Sequence, residues 1–288
     1  MSRRAKHFPK ENAEAVLKAI NLSDAEARFL VSDYYASQEA RKRADMQLRH
    51  LGEKAEITNF PLLNYTAECY YEIEKFVLKG LKKYAEASPV GRWILAQHGL
   101  GPVIAAGCLA YLDITRAETA GQFWRFSGQD PTCKWEKGEK RPFNPAMKQL
   151  IYHMGECFKR SSNSPESYYG KIYHKRKQLV VERNENGYNA ERAKVFVTKS
   201  AAVKAVLKKG KLPASNLDRQ ACNYAAKIFL SHLHAVMHWN RYKKAPPKPF
   251  AIVHLGHAHE LRIPMVEMFP GLAKAYYGEE EQTLQAAE

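Results

Sequence analysis

What this chain has too little of narrows its class first. No apolar run approaches the roughly 18–20 residues that cross a bilayer, and Met1 to Lys10 is basic without the apolar core of a signal peptide. Neither a membrane span nor secretion is indicated, and the expected location is the cytoplasm, in association with the nucleoid. Cysteine is sparse: Cys69, Cys108, Cys133, Cys157 and Cys222 are odd in number, widely spaced and without a C-x-x-C pair. That argues against a disulfide framework or a zinc knuckle and for reduced, mostly packed thiols. Residues 1–87 are helical in pattern and lack β-branched alternating segments, so strands are not expected there. Acidic residues are scarce in one place. Residues 134–248 hold 25 Lys and Arg against 8 Asp and Glu, whereas residues 1–133 hold 18 against 16 and residues 249–288 hold 2 against 6.

The chain has 288 residues, 45% of them hydrophobic, enough for a sizeable core in one large or two modest domains. Its formal charge of +15 is the sum of +2, +17 and −4 over those three stretches. An excess of seventeen positive charges in one segment repels itself unless a polyanion neutralises it. Nucleic acid is the expected partner. A membrane surface is not, because no basic amphipathic segment carries the aromatic-rich apolar face it requires.

The stretch from Trp93 to Gly107 reads as a helix-hairpin-helix. A short apolar helix meets a turn built on Gly99, Leu100 and Gly101, and Pro102 opens a second helix at a position that needs no N–H of its own. Backbone N–H groups left free at such a turn, with the positive end of the helix, seat a phosphate oxygen. Ile94, Leu95, Leu100, Val103 and Ile104 are expected to lock the two helices together. A plain turn with a glycine cap accounts for Pro102 and one glycine, but not for the second.

Along the chain, Asn12 to Ile20 reads as a helix, and Ser23 with Glu26 has capping-box spacing for a long helix from Asp24. Arg41, Lys42 and Arg43 read as its solvated face. Gly52 to Pro61 reads as a linker, Leu62 to Ala87 as a further helix, and Ser88-Pro89 as the start of the first hairpin helix. Thr119 to Gly128 and Pro145 to Phe158 are helical in pattern. Residues 178–215 read as a basic insertion, with a charged helix and a helix from Ala201 to Lys209 closed by Gly210 and Pro213. The helix from Leu217 to Trp239 shows one apolar face and a second line of Lys227, Ser231, His234, His238 and Arg241, a candidate phosphate-contacting stripe. Arg241 to Pro249 reads as a stiff basic linker, and the acidic tail past Gly278 as unstructured.

From the hairpin to Pro131, the order G-L-G-P-V-I-A-A-G, then Asp113-Ile114, then an aromatic-rich helix through Phe123, Trp124 and Phe126, then Gly128-x-x-Pro131, resembles the C-terminal domain of DEDD-type insertion-sequence transposases. A looser likeness continues through Gly138, Asn144, the helix from Pro145, Tyr168 to Tyr173, and Asp218 to His238, about half the chain in all. Members of that family join a RuvC-like nuclease domain to a helix-hairpin-helix domain bearing a catalytic serine. The resemblance therefore implies DNA binding, recombination and transposition. The nuclease half has no counterpart in residues 1–87, and Lys137 stands before Gly138 where the serine is expected. Catalysis is not carried over, and the isolated chain is expected neither to cleave nor to join strands. Cys133 is the nearest alternative nucleophile.

The expectation is a mostly α-helical protein in three regions. Residues 1–87 form a helical packing or dimerisation region, 88–245 the helix-hairpin-helix domain, and 246–288 a Pro-rich linker, a His-rich segment and the tail. The expected DNA contacts are Gly99, Leu100, Gly101, Lys134, Lys137, Lys140, Arg141, Lys148, Lys227, His234, His238 and Arg241. DNA is favoured over RNA, a homodimer through the N-terminal helices and a separate nuclease subunit are possible partners, and no cofactor is expected. Six histidines between His232 and His259 raise a metal site, but their spacing matches no known ligand pattern and packing roles are preferred. The alternative reading is an active recombination or nuclease enzyme with a composite or unrecognised site. An RNA-binding accessory protein shares the charge argument.

Overall fold

A computed structural model describes residues 10–54, 60–136, 138–248 and 261–278. Among these there is no strand, and the all-α expectation holds. The chain divides into two units, one of residues 1–95 and 101–112, the other of residues 96–100 and 113–288. Residues 89–95 and 101–111, read from the sequence as the two helices of a hairpin, therefore fall with the N-terminal helices.

In the first unit, α1 (Lys10–Ala19), α2 (Asp24–Lys54), α3 (Pro61–Ala87), α4 (Pro89–Ala96) and α5 (Pro102–Tyr111) assemble around Leu81, Ala85, Trp93, Ile94, Ala105 and Cys108. α2 starts where its capping box requires: the Ser23 N–H donates to Glu26 Oε2 at 2.8 Å, and the Glu26 N–H donates to Ser23 Oγ at 3.3 Å. α2 and α3 run together, clasped in mid-length by Glu74, which is 8% exposed and accepts from Arg41 Nε at 2.8 Å and Gln38 Nε2 at 3.2 Å. α5 is apolar all round and buried from Val103 to Cys108, because it packs on α2 and α3. The Arg28 guanidinium donates to the Ala110 carbonyl at 2.6 Å, placing a cation at the negative end of α5. Locking of the hairpin helices to each other is thus the smaller part of what holds α5. Its main partners are the two long helices.

The second unit is built on α11 (Ala214–Tyr242), which receives α6 (Ala120–Phe126), α7 (Pro145–Arg160) and α8 (Tyr168–Glu185). Short helices α9 (Ala190–Lys194), α10 (Ala201–Leu207) and α12 (Leu272–Tyr277) complete it. Phe158, Tyr169 and Phe229 form its aromatic centre, with Phe158 stacked on Tyr169 at 4.9 Å. Gly155 lets α7 lie close on α11, since a Cβ there would fall 2.9 Å from Cys222 Cβ. The expected insertion at 178–215 does not begin as a separate piece: α8 runs through residue 178 to Glu185. The rest of that stretch is tied down by Asn184, whose Oδ1 accepts from Asn189 Nδ2 and the Leu212 N–H, each at 2.9 Å. Leu212 packs in turn with Val180 and Leu217.

α11 differs most from its sequence reading. It is buried without interruption from Phe229 to Val236, so Ser231 and His234 lie inside. With helices on several sides, no solvent-facing stripe survives there. Polar groups can be enclosed because they are bonded. Ser231 Oγ donates to the Lys227 carbonyl at 3.1 Å, and His234 Nε2 bonds the Ala117 carbonyl at 2.9 Å. His232 Nε2 donates to the Leu261 carbonyl at 2.9 Å, which leaves Nδ1 to accept from the Tyr169 hydroxyl at 2.9 Å.

Burial pushes His232 down to about 4, and His234 down as well. The unfolded imidazole titrates near 6.5. The contribution of His232 to stability is therefore complete above about pH 6.5, declines as pH falls, and is lost by about pH 4, for a total of roughly 3 kcal/mol. Urea midpoints measured across that interval should drop for the wild type and fall less for His232→Gln.

Candidate nucleic-acid interface

The two glycines of the hairpin turn differ in kind. Gly99 adopts φ +94°, a left-handed conformation, and Leu100 N–H closes the turn on the Gln97 carbonyl at 3.0 Å. A Cβ on Gly99 would lie 2.8 Å from Ser161 Oγ, so both chain reversal and packing require glycine there. The Leu100 side chain is 8% exposed and belongs to the core. Gly101 has φ −113°, open to any residue, and a Cβ there would meet nothing within 4 Å. It precedes Pro102 and accepts the Ala105 N–H at 3.0 Å as the N-cap of α5. Gly99→Ala should cost about 1–3 kcal/mol in urea denaturation. Gly101→Ala should leave stability within about 0.5 kcal/mol.

The loop between α6 and α7 gathers the clearest surface cluster. It leaves α6 at Gly128, φ +68°, and is closed where the Asn144 N–H donates to the Phe126 carbonyl at 2.9 Å. Asn144 then caps α7 through Met147 N–H at 2.9 Å, with Pro145 in its first turn. A groove of about 390 Å³ opens there, lined by Trp135, Arg141, Phe143, Lys148 and Tyr152 among others. Each ring lies under a cation. The Arg141 guanidinium is 5.5 Å from the Trp135 ring, Lys148 Nζ 4.1 Å from Phe143, and the Arg219 guanidinium 3.8 Å from Tyr152. Trp135 is 38% and Tyr152 48% exposed, so two of the three rings present surface to solvent beside the cations. Lys134 and Lys140 are exposed on the same loop. Four of the expected contact residues thus share one loop and the helix it feeds. Lys137, on that loop, lies outside the described residues.

Comparison with protein-family models, with curated proteins and with solved structures returns no match.

The remaining expected contacts are dispersed. Lys227 is partly buried, with Nζ 5.4 Å from the Trp124 ring, and burial lowers its pKa. His234, 1% exposed, is a core residue against Phe123, which corrects its reading as a phosphate contact: an enclosed imidazole bonded to a carbonyl cannot reach a phosphate. His238 is nearer the surface and bonds the Lys244 carbonyl at 3.2 Å; Arg241 is exposed. Of the C-terminal histidines raised for a metal, His254, His257 and His259 lie outside the described residues. Ligand-type atoms do converge within 4.8 Å at Glu156, Asp218 and Cys222. Their charge is already answered: Asp218 binds Lys159 at 2.6 Å and Lys177 at 2.9 Å, Glu156 binds Arg219 at 2.5 Å, and burial pushes the Cys222 thiol up to about 11. That set is an ion network between α7, α8 and α11. Ser127, which precedes a glycine, is fully buried with its hydroxyl on the Trp124 carbonyl at 3.2 Å.

The aromatic half of the groove is absent from the sequence-derived contacts. Trp135 sits between Lys134 and Glu136 without an apolar partner at helical spacing, a signal that it is not core. Phe143 and Tyr152 carry no such mark, because their exposure depends on how the loop closes.

Proposed function

We propose that this protein binds nucleic acid, DNA foremost, by holding the phosphate backbone on the basic surface around the α6–α7 loop and at the glycine turn before α5. The observation that carries this reading is the cluster of exposed Lys134, Lys140, Arg141 and Lys148 on one loop and helix, within the segment that holds the whole excess of positive charge. Arg141 and Lys148 line one groove, and positive charge gathered on a surface attracts a polyanion, whose phosphates can answer it along a strand. In the other unit, Gly101 leaves open space at the start of α5, and the positive end of a helix suits a phosphate oxygen. The resemblance to the transposase domain agrees with DNA as the polymer and carries a role in recombination with it. No helix among the described residues is long and apolar enough to cross a membrane. A homodimer through the N-terminal helices has in its favour Phe29 and Met46, which α2 leaves 74% and 65% exposed.

Duplex binding across a salt series tests the reading. If four phosphates are neutralised, affinity should fall about a hundredfold between about 50 and 200 mM salt, log-linearly. Arg141→Ala should reduce the slope by about one phosphate equivalent. Gly101→Ala should weaken binding without loss of fold. A flat salt response would remove the proposal.

A further inference from the structure

We infer that the groove at the α6–α7 loop takes an unpaired nucleobase, so that the protein holds single-stranded or locally melted DNA there in preference to intact duplex. This rests on the proposed binding of nucleic acid and adds to it which form of the polymer this surface selects.

Backbone phosphates alone would call for cations and hydrogen-bond donors, and not for aromatic faces. The groove supplies in addition three aromatic rings, Trp135, Phe143 and Tyr152, from two different elements. Trp135 and Phe143 meet edge to face, centroids 6.4 Å apart. The Arg219 guanidinium, itself paired with Glu156, lies over one face of Tyr152 at 3.8 Å and holds that ring in place. Stacking surface beside phosphate-binding charge is what a splayed base with its own backbone requires, and every base has a face to offer. In intact duplex the base faces are covered by their neighbours, and only edges and phosphates are presented. An acidic peptide would pair with Arg141 and Lys148 but carries no flat ring to stack on Trp135, Phe143 or Tyr152.

The positions of the rings are built in. Gly128 is the floor on which Phe143 and Lys148 rest: a Cβ there would lie 3.0 Å from Phe143 Cγ and 3.0 Å from Lys148 Cδ. Trp135 is held by its own loop, with Nε1 donating to the Glu139 carbonyl at 2.9 Å. The Glu139 carboxylate is turned back to accept the Glu136 N–H at 3.0 Å. The groove has the volume of a small-ligand site, at about 390 Å³.

The test uses the full chain and its own fluorescence. Of the tryptophans, Trp93 is fully buried and Trp135 is the one exposed beyond a third. Protein is titrated with oligo(dT) about 20 nucleotides long, room for one or two sites, with oligo(rU), with duplex DNA of the same length, and with a poly-glutamate peptide. Oligo(dT) should quench the emission, and Trp135→Phe should abolish most of the quench while binding stays within about threefold, since a stacking ring remains. Trp135→Ala and Tyr152→Ala should each weaken oligo(dT) binding about 5- to 100-fold but move duplex affinity less than about twofold. Circular dichroism and melting of each variant should match the wild type, both side chains being exposed. An oligo(rU) response with the same Trp135 dependence would equally support an unpaired base. Quenching by poly-glutamate as strong as by oligo(dT), or equal losses for duplex and single strand, overturns the inference and leaves phosphate binding standing. Failure of every nucleic acid to bind in a salt-dependent way overturns both.

Discussion

Gly91→Ala should unfold the first unit or destabilise it by about 3 kcal/mol or more. Gly91 lies in α4 where the chain has just turned from α3, and a Cβ there would overlap the Ala85 carbonyl oxygen and come within 2.8 Å of Leu109 Cδ1. The first obstacle is backbone and cannot rotate away; the second is a side chain on α5, which packs on α2 and α3. Relief would require moving α4 off α3, and Trp93 and Ile94, both wholly buried, would move with it. Closely packed interiors do not absorb such a shift locally. Gly52→Ala is the control. Gly52 sits on α2 with nothing within 4 Å of its Cβ position, so the same substitution there should raise stability by up to about 1 kcal/mol through helix propensity. Urea unfolding of the two variants beside the wild type checks both signs. A native-like midpoint for Gly91→Ala would show that the turn from α3 into α4 yields without disturbing the core around Trp93.

Asp218→Ala should cost about 3–5 kcal/mol in the second unit. Its carboxylate is 16% exposed and accepts from Lys159 at 2.6 Å, from Lys177 at 2.9 Å and from the Tyr173 hydroxyl at 2.5 Å, joining α7, α8 and α11 through one side chain. Removing it leaves two ammonium groups facing each other and a hydroxyl without its acceptor. That loss exceeds the net worth of the ion pairs, because the stranded charges keep their desolvation cost. Asp218→Asn should recover the tyrosine contact and part of the stability, but not the charge balance. The same contacts set a pH window. Burial works against the charged form, yet the hydrogen bonds from Lys159, Tyr173 and Lys177 hold the carboxyl well below the usual carboxylate range. A group whose folded pKa is depressed contributes fully above its unfolded value, near 3.9, and loses that contribution as pH falls below it. The wild type should therefore lose stability in two steps, the His232 step between about pH 6.5 and 4 and the Asp218 step below about pH 4. Asp218→Asn should lack the second. A wild-type profile flat below pH 4 would show that the cluster is held by packing alone.

Where helices begin was legible residue by residue. Ser23 with Glu26, Ser88 before Pro89, and Asn144 before Pro145 each satisfy or avoid a free N–H locally, so their signals survive whatever packs around them. The helical character of the described residues followed from period, and the excess of positive charge from counting. The division of the chain was not legible, since α5 is apolar on every side and its sequence cannot say whether α4 or the α2–α3 pair will cover it. The α11 face failed for a related reason: a polar line at helical spacing faces water only if no partner arrives there. α6 and Ala117 do arrive, and His234 is kept inside by one carbonyl. The groove shows the complementary case. Lys134, Lys140, Arg141 and Lys148 could be named from composition because charge is additive along a chain. That Trp135, Phe143 and Tyr152 would stand beside them depends on Gly128 and on the closure from Asn144 to Phe126, which bring together rings spread over residues 135–152. The sequence by itself determined a mostly helical fold, the helix starts and where the positive charge lies, because each is fixed within a few residues. Only the tertiary structure decided which polar residues are buried and which aromatic residues reach the surface, because burial is settled by what else packs on the same side chain.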